Sequence, residues 1–388
     1  MVTTDQLKLF PFTDFTSVTP ATKVDDLNLN WRERDLPENQ RTKHVHRLHP
    51  YLGKFVPQLV EIFLRKYQPS LVVDPFCGSG TTLVEAQARG VNSFGCDISE
   101  FNCLLTKVKA AKYDVDLLGH EILDALSNSC QEGQGRLLEP TAVYTPNSYL
   151  TEWFAPEALQ QLLRYRALIG NYHHQDVLKV ILSRAARSAR LTTHFDLDFP
   201  KKPQTEPYQC YKHSRVCHPT ADAGQFLKRY SLDTIKRIRE FAMIRTDATN
   251  EIACGDSRHI EFPKCDLILT SPPYVGLIDY HEQHRYAYEL LGLPWKADKE
   301  IGAASLGNSL KAEQIYLDEM EQVFNNVRQY LTKDAHLVVV VHDRKHLYHE
   351  LSRRLDFRTE TELHRHVNRR TGRRAGEFFE SVFVWRAP

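Results

Sequence analysis

From His49 the chain takes on a helical rhythm. In HPYLGKFVPQLVEIFLRKY the apolar residues Val56, Leu59, Val60, Phe63 and Leu64 recur at three- and four-residue spacing, and Pro57 is acceptable in a first turn. SLVVDPFCGSGTTLVEAQARG follows, a short apolar strand at 71–73, a glycine-rich turn and a helix ending at Gly90, and VNSFGCDIS then supplies a second short strand. This is the opening of a βαβ unit. From about 104 to 249 the pattern is helical and non-alternating, interrupted by a long irregular stretch over 192–220, so this region is expected to be an insertion. The strand-like text resumes with EIACGDS and CDLILTSPPY. It continues through a helix over 313–331 and the buried strand HLVVVVHD, and ends in a hairpin whose last strand is EFFESVFVW. Residues 1–45 are polar, punctuated by proline and poorly periodic, and are expected to form an extended arm or a partly ordered lead-in. The predicted architecture is α/β, a doubly wound and mostly parallel sheet closed by an antiparallel hairpin. The catalytic domain is expected over 46–103 and 250–388, with a helical insertion over 104–249.

Composition narrows the class. The chain has 388 residues, 42% hydrophobic and 26% charged, as in an ordinary globular protein, which excludes disordered, collagen-like and disulfide-stapled chains. No uninterrupted apolar run has the length of a membrane span, and the opening residues lack the pattern of a secretion signal, so a cytoplasmic location is expected. With 50 Lys and Arg against 49 Asp and Glu, contact with nucleic acid has to come from local basic surfaces. The 8 cysteines are irregularly spaced and read as reduced thiols.

A strand ending in Asp74, then Phe76, Cys77, Gly78, Ser79, Gly80 and Thr81 before a helix, suits a nucleoside ligand, since glycines allow close backbone approach. A plain tight connection has the same glycines. Asp97, with Ile98 after it, closes the second strand about 20 residues on, where a carboxylate can accept ribose hydroxyls. The turn lacks the lysine of a phosphate loop and the full dinucleotide fingerprint. Asp256, beside Ser257, stands where it can reach an adenine amine and is equally placed as a turn or N-cap aspartate. The most informative string is CDLILTSPPY, in which an apolar strand delivers Ser271, Pro272, Pro273 and Tyr274 to its carboxyl end. Two prolines fix the backbone and leave carbonyls free to accept, Ser271 offers a hydroxyl and Tyr274 an aromatic face, a wall that suits a planar amine.

DPFCGSGTT with GCDIS, and later GDS with TSPPY, resembles the amino-group DNA methyltransferases that use S-adenosylmethionine. The serine opening the wall resembles their cytosine-N4 branch, since adenine-N6 members usually carry Asp or Asn there. The resemblance covers about 49–103 and 250–388 and implies a class I methyltransferase fold, with double-stranded DNA as substrate and a possible cognate restriction endonuclease as companion. HPYLGKFVPQLVEIFL resembles the family's segment that closes over the methionine end of the cofactor, which implicates Lys54, Phe55 and Pro57. By the same resemblance Ser271 and the Pro272 carbonyl accept the amine hydrogens while Tyr274 stacks on a flipped base. Cytosine-C5 chemistry needs a thiolate after proline, and no cysteine here follows one. Asp279, Tyr280, His281 and Arg285 lie near the expected pocket mouth, whereas Tyr286, Leu290 and Leu291 read as a packed helix stripe.

Arg365, Arg369, Arg370, Arg373 and Arg374 in the hairpin turn are expected to contact the DNA backbone. Arg184, Arg187, Arg190, Lys201, Lys202 and Arg215 in the insertion are phosphate candidates that solvated helix faces explain equally. Cys210, His213, Cys217 and His218 have no standard zinc spacing and an awkward adjacent Cys-His pair, so no metal is expected. The rival readings are an adenine-N6 enzyme, an RNA guanine-N2 methyltransferase, a non-catalytic nucleic-acid-binding protein on the same fold, and a nicotinamide oxidoreductase. The insertion precedes Asp256, whereas the common family order places it after that acid.

Overall fold

The computed structural model describes residues 12–53, 56–130, 148–307, 309–367 and 378–387. A seven-stranded sheet is built from β1 (Leu71–Asp74), β2 (Asn92–Asp97), β5 (Asn250–Cys254), β6 (Cys265–Thr270), β7 (Leu331–Val341), β8 (Arg358–Val367) and β9 (Phe378–Arg386), in the order β5-β2-β1-β6-β7-β9-β8. Pairing is parallel from β5 through β7, and β9 runs antiparallel to both β7 and β8. The chain leaves β1 towards β2 and β5 and later returns to its other side through β6 and β7. The crevice between β1 and β6 is therefore the point where strand order reverses, and ligands of such sheets bind outside the carboxyl ends there. The expected doubly wound sheet and terminal hairpin are both present.

Side-chain alternation explains why helices cover both faces. Leu267, Leu269, Val338, Val340, Val382 and Val384 point into one core with α2 (Pro57–Tyr67), while Ile268, Leu337, Val339, Val341, Phe383 and Trp385 point into the other. There they meet α12 (Leu310–Val327) and α13 (Leu347–Arg354). Pro57 occupies the first turn of α2, where its missing N–H is not needed. From residue 12 the lead-in is irregular, with 3-10 turns at Val24–Asp26 and His44–Arg47 and the short helix α1 (Glu38–Arg41), and it packs onto the core. Val18, Leu27, Leu29, Trp31 and Leu36 are buried beside α2, and each aliphatic one contributes roughly 1.5–3 kcal/mol. Their irregular spacing hides this from any periodicity.

A third core joins α4 (Glu100–Ala110) to α5 (Val115–Cys130), α6 (Ser148–Trp153), α7 (Pro156–Leu168), α8 (Gln175–Ala189), α9 (Gly224–Ala242) and α11 (Arg285–Leu291). Tyr286 and Leu290 belong to it, as the packed-stripe reading requires. A separate two-stranded sheet, β3 (Tyr208–Cys210) with β4 (Arg215–Cys217), lies between α8 and α9. Between α11 and the end of β6 lie the short α10 (Tyr280–Gln283) and the loop carrying Ser271. Among the described residues no helix is long and apolar enough to cross a membrane.

Candidate active site

An open cleft lies at the carboxyl ends of β1, β2, β5 and β6, where ligands of such sheets bind. The turn after β1 forms its floor through Phe76, Cys77, Gly78, Ser79 and Thr81. Two glycines make that turn possible. Gly78 has φ +50° and Gly80 φ +78°, and a methyl group on Gly80 would come within 2.7 Å of Thr106 on α4. Gly80 therefore serves turn geometry and helix packing rather than lining the cleft. Burial pushes the Cys77 thiol well up, so it remains a thiol and not a nucleophile.

The three acidic residues have different roles. Asp97 Oδ2 accepts from the Gly78 N–H at 2.9 Å, and its Oδ1 accepts from Ser99 N–H at 2.9 Å and Asn102 Nδ2 at 3.1 Å. A carboxylate has about four acceptor positions, so one at Oδ2 remains for a ligand hydroxyl facing the cleft. Burial raises its proton affinity. At Asp256 burial works to raise the carboxyl, but the Arg258 guanidinium, bonded through Nε at 2.9 Å and Nη2 at 2.7 Å, outweighs it and holds Asp256 below the usual range. Asp256, Ser257 and Ile98 line the cleft. Asp74 does not open onto it. Only 1% exposed, it accepts from Thr82 Oγ1 at 2.7 Å and Thr270 Oγ1 at 2.6 Å, tying the glycine turn to the end of β6. Burial lifts its pKa to about 6.

The proline wall stands across the crevice. Ser271 and Pro273 line the cleft. The Ser271 hydroxyl is buried and, among the described residues, makes no hydrogen bond of good geometry. The Pro273 carbonyl accepts from Tyr316 Oη at 2.9 Å, while Pro272 is buried. Tyr274 lies beyond the cofactor cleft, close enough for its phenol to feel the Ser271 hydroxyl, and donates to Glu380 Oε1 at 3.2 Å. Its ring centroid is 6.2 Å from that of His342. Glu380 is paired in turn with Arg365 at 2.8 Å, and both side chains are buried.

The sequence around residues 21–108 matches the family model described as DNA methylase. The type II methyltransferase M.MjaII of Methanocaldococcus jannaschii is 36% identical, over 90% of this chain and 81% of its own. The chain belongs to the DNA amino-methyltransferases. M.MvaI of Kocuria varians is 22% identical over 76% of this chain and 66% of its own length, and M.BsoBI of Geobacillus stearothermophilus is 24% identical over 71% and 59%. Membership makes the chain a type II enzyme of DNA methylation acting on DNA, and family and fold imply S-adenosylmethionine as the methyl donor. The cleft fits that group. Besides the open Oδ2 position, the buried Ser79 Oγ and Asn102 Oδ1 have no partner among the described residues.

Several cleft residues of this methyltransferase escape the sequence reading. Tyr51 and Gly53 line it, and Tyr51 stacks on Tyr280 at 5.9 Å and His284 at 5.5 Å while its hydroxyl accepts from Asn102 Nδ2 at 3.1 Å. Asn102, one turn into α4 after the N-cap Ser99, was detectable only as a polar residue close behind Asp97. Of the four mouth candidates Tyr280 lines the cleft. Asp279 accepts from Ser305, His281 is fully buried against Glu300, and Arg285 pairs with Glu289. Pro57 sits in α2 and not in the cleft lining, and Lys54 and Phe55 lie outside the described residues.

The basic candidates divide in the same way. Arg365 is committed to Glu380, with its guanidinium 5.8 Å from the Trp31 ring centre, so it supports Tyr274 and is not offered to a phosphate. Arg184 pairs with Asp233, Arg187 with Asp198, and Arg190 donates to the Leu197 carbonyl beneath the Tyr286 ring. Lys201, Lys202 and Arg215 are exposed, whereas Arg369, Arg370, Arg373 and Arg374 lie outside the described residues.

Proposed function

We propose that this methyltransferase modifies the exocyclic N4 amine of a cytosine flipped out of double-stranded DNA. The observation that carries the reading is Ser271, a buried hydroxyl at the carboxyl end of β6 that borders the cofactor cleft on one side and Tyr274 on the other. Asp97 and Asp256 would hold the ribose and adenine of S-adenosylmethionine, with the backbone of the glycine turn beneath it. When bound, that cofactor supplies an electrophilic sulfonium methyl. The amine is a weak nucleophile because its lone pair is delocalised into the ring. Ser271 Oγ and the Pro272 carbonyl accept its two hydrogens and draw it towards tetrahedral geometry. As the amine gains positive charge these acceptors bind it more strongly than in the ground state, the requirement for rate enhancement. Tyr274, its hydroxyl held by Glu380, offers a fixed ring face on which the flipped base stacks. Lys201, Lys202 and Arg215, with Arg369, Arg370, Arg373 and Arg374, supply backbone contacts that position the duplex without naming its sequence. A companion endonuclease reading the same site would make the mark protective.

The test is methylation of genomic DNA and bulk tRNA in parallel with labelled S-adenosylmethionine, followed by nucleoside analysis. N4-methylcytosine in DNA is the expected product. N6-methyladenine would overturn the base assignment, and label confined to tRNA would overturn the substrate.

A further inference from the structure

Residues 191–222 join α8 to α9 and contribute no side chain to any of the three hydrophobic cores, among the described residues. Their only regular structure is the pair of three-residue strands β3 and β4, and an isolated two-stranded hairpin is marginally stable at best. Phe195, Phe199, Tyr211 and Val216 are exposed, whereas Cys210 is 0% and Cys217 6% exposed. Something other than apolar burial must hold this segment.

Tyr208 pairs with Cys217 and Cys210 with Arg215, which puts both cysteines on one face of the hairpin. Ser214 takes φ +51° in the turn, and His213 lies between the sulfurs. His213 Nδ1 is 3.6 Å from Cys210 Sγ and 3.4 Å from Cys217 Sγ, and His194 Nδ1 approaches Cys210 Sγ at 3.8 Å. The four donor atoms all lie within 4.8 Å of one another. We propose that His194, Cys210, His213 and Cys217 form a structural zinc site that staples the 191–222 segment.

The distances carry the argument. Tetrahedral zinc with Zn–S near 2.3 Å and Zn–N of about 2.0–2.1 Å sets its S···N edges at about 3.6 Å. The three contacts of 3.4, 3.6 and 3.8 Å straddle that value. Hydrogen bonding alone explains them poorly, because one neutral imidazole nitrogen cannot accept from two thiols equally. A two-sulfur, two-nitrogen set favours zinc, and four protein ligands leave no open position, the signature of a structural site. On binding, each thiol gives up its proton to solvent, two per ion, and both imidazoles coordinate neutral. His218, adjacent to Cys217 in sequence, is replaced by His194 from a loop 16 residues before Cys210, which removes the strained adjacent pair. A second cluster, His44, His46 and Glu85, already has Lys43 Nζ on Glu85 at 2.9 Å, so a cation is in place there.

The test uses the full-length chain purified under reducing conditions from zinc-supplemented cells, with metal content measured by plasma emission. One zinc per chain is expected, retained in His218→Ala and lost in Cys217→Ser and His194→Ala. Should those variants fail to fold, the wild-type chain stripped of metal and titrated with Co²⁺ is the second readout. Expected there are the visible bands of tetrahedral cobalt with thiolate charge transfer, and protection of 191–222 from protease on adding zinc. Absence of both stoichiometric zinc and the tetrahedral cobalt spectrum would overturn the site. So would equal loss in His218→Ala, or a Cys210–Cys217 disulfide in the reduced protein. None of these readouts depends on the base that is methylated.

Discussion

Ser271→Ala separates chemistry from folding more cleanly than any other substitution here. Among the described residues the buried hydroxyl has no hydrogen bond of good geometry and lies beside the Tyr274 phenol, so little folding energy goes with it. Removing it should leave thermal stability nearly unchanged. Cofactor binding should be unaffected, since Asp97, Asp256 and the glycine turn stay as they are. The rate should fall, because one of two acceptors for the developing charge is gone. Loss of one such interaction lowers kcat by about 10² to 10³, equivalent to about 2.7–4 kcal/mol of transition-state stabilisation. Single-turnover methylation of DNA by saturating enzyme reads the chemical step, while calorimetric titration and a melting curve with and without S-adenosylmethionine read binding and folding. Wild-type single-turnover rates would refute the role given to Ser271. A melting temperature several degrees lower would show that the hydroxyl is structural and that the rate loss is indirect.

Asp97→Asn keeps the shape of the β2 terminus but removes the charge and acceptor capacity shared by Gly78, Ser99 and Asn102; S-adenosylmethionine affinity measured by titration calorimetry should weaken at least about tenfold, the value of one charge-assisted hydrogen bond. Glu380→Ala leaves Arg365 buried without its carboxylate and removes one partner of the Tyr274 hydroxyl, so denaturant unfolding should show a loss of about 3–5 kcal/mol, with Glu380→Gln milder because it retains a hydrogen bond. Asp74 has a folded pKa raised by burial from 3.8 to about 6, so the folded state holds its proton more tightly than the unfolded state. Its contribution to stability is full below about pH 4 and is lost as pH rises through about 6. Asp74→Asn should flatten that part of the stability profile relative to wild type, and an unchanged profile would show that Asp74 titrates normally.

Local text determined a great deal of this protein. The continuous apolar runs of β6 and β7, the helix from Pro57 and the glycine turn after β1 appear where their local text puts them, because strands buried on both faces and a helix buried on one are defined by neighbouring residues alone. Asp97, Ser271 and Pro273 were equally legible, since strand ends at a reversal of sheet order deliver their side chains to one crevice. Tertiary structure decided what depends on long-range partners. Only the pairing of β1 with β6 shows that Asp74 faces Thr270 and not the cofactor, and only the β8–β9 hairpin shows Arg365 consumed by Glu380. Tyr51 is held at the cleft by Asn102 of α4 and by the rings of Tyr280 and His284, and the Cys210 cluster finds its fourth ligand in a loop rather than in the adjacent His218. The direction of a charged or polar side chain depends on which partner offsets its desolvation, and that partner can lie hundreds of residues away in the chain.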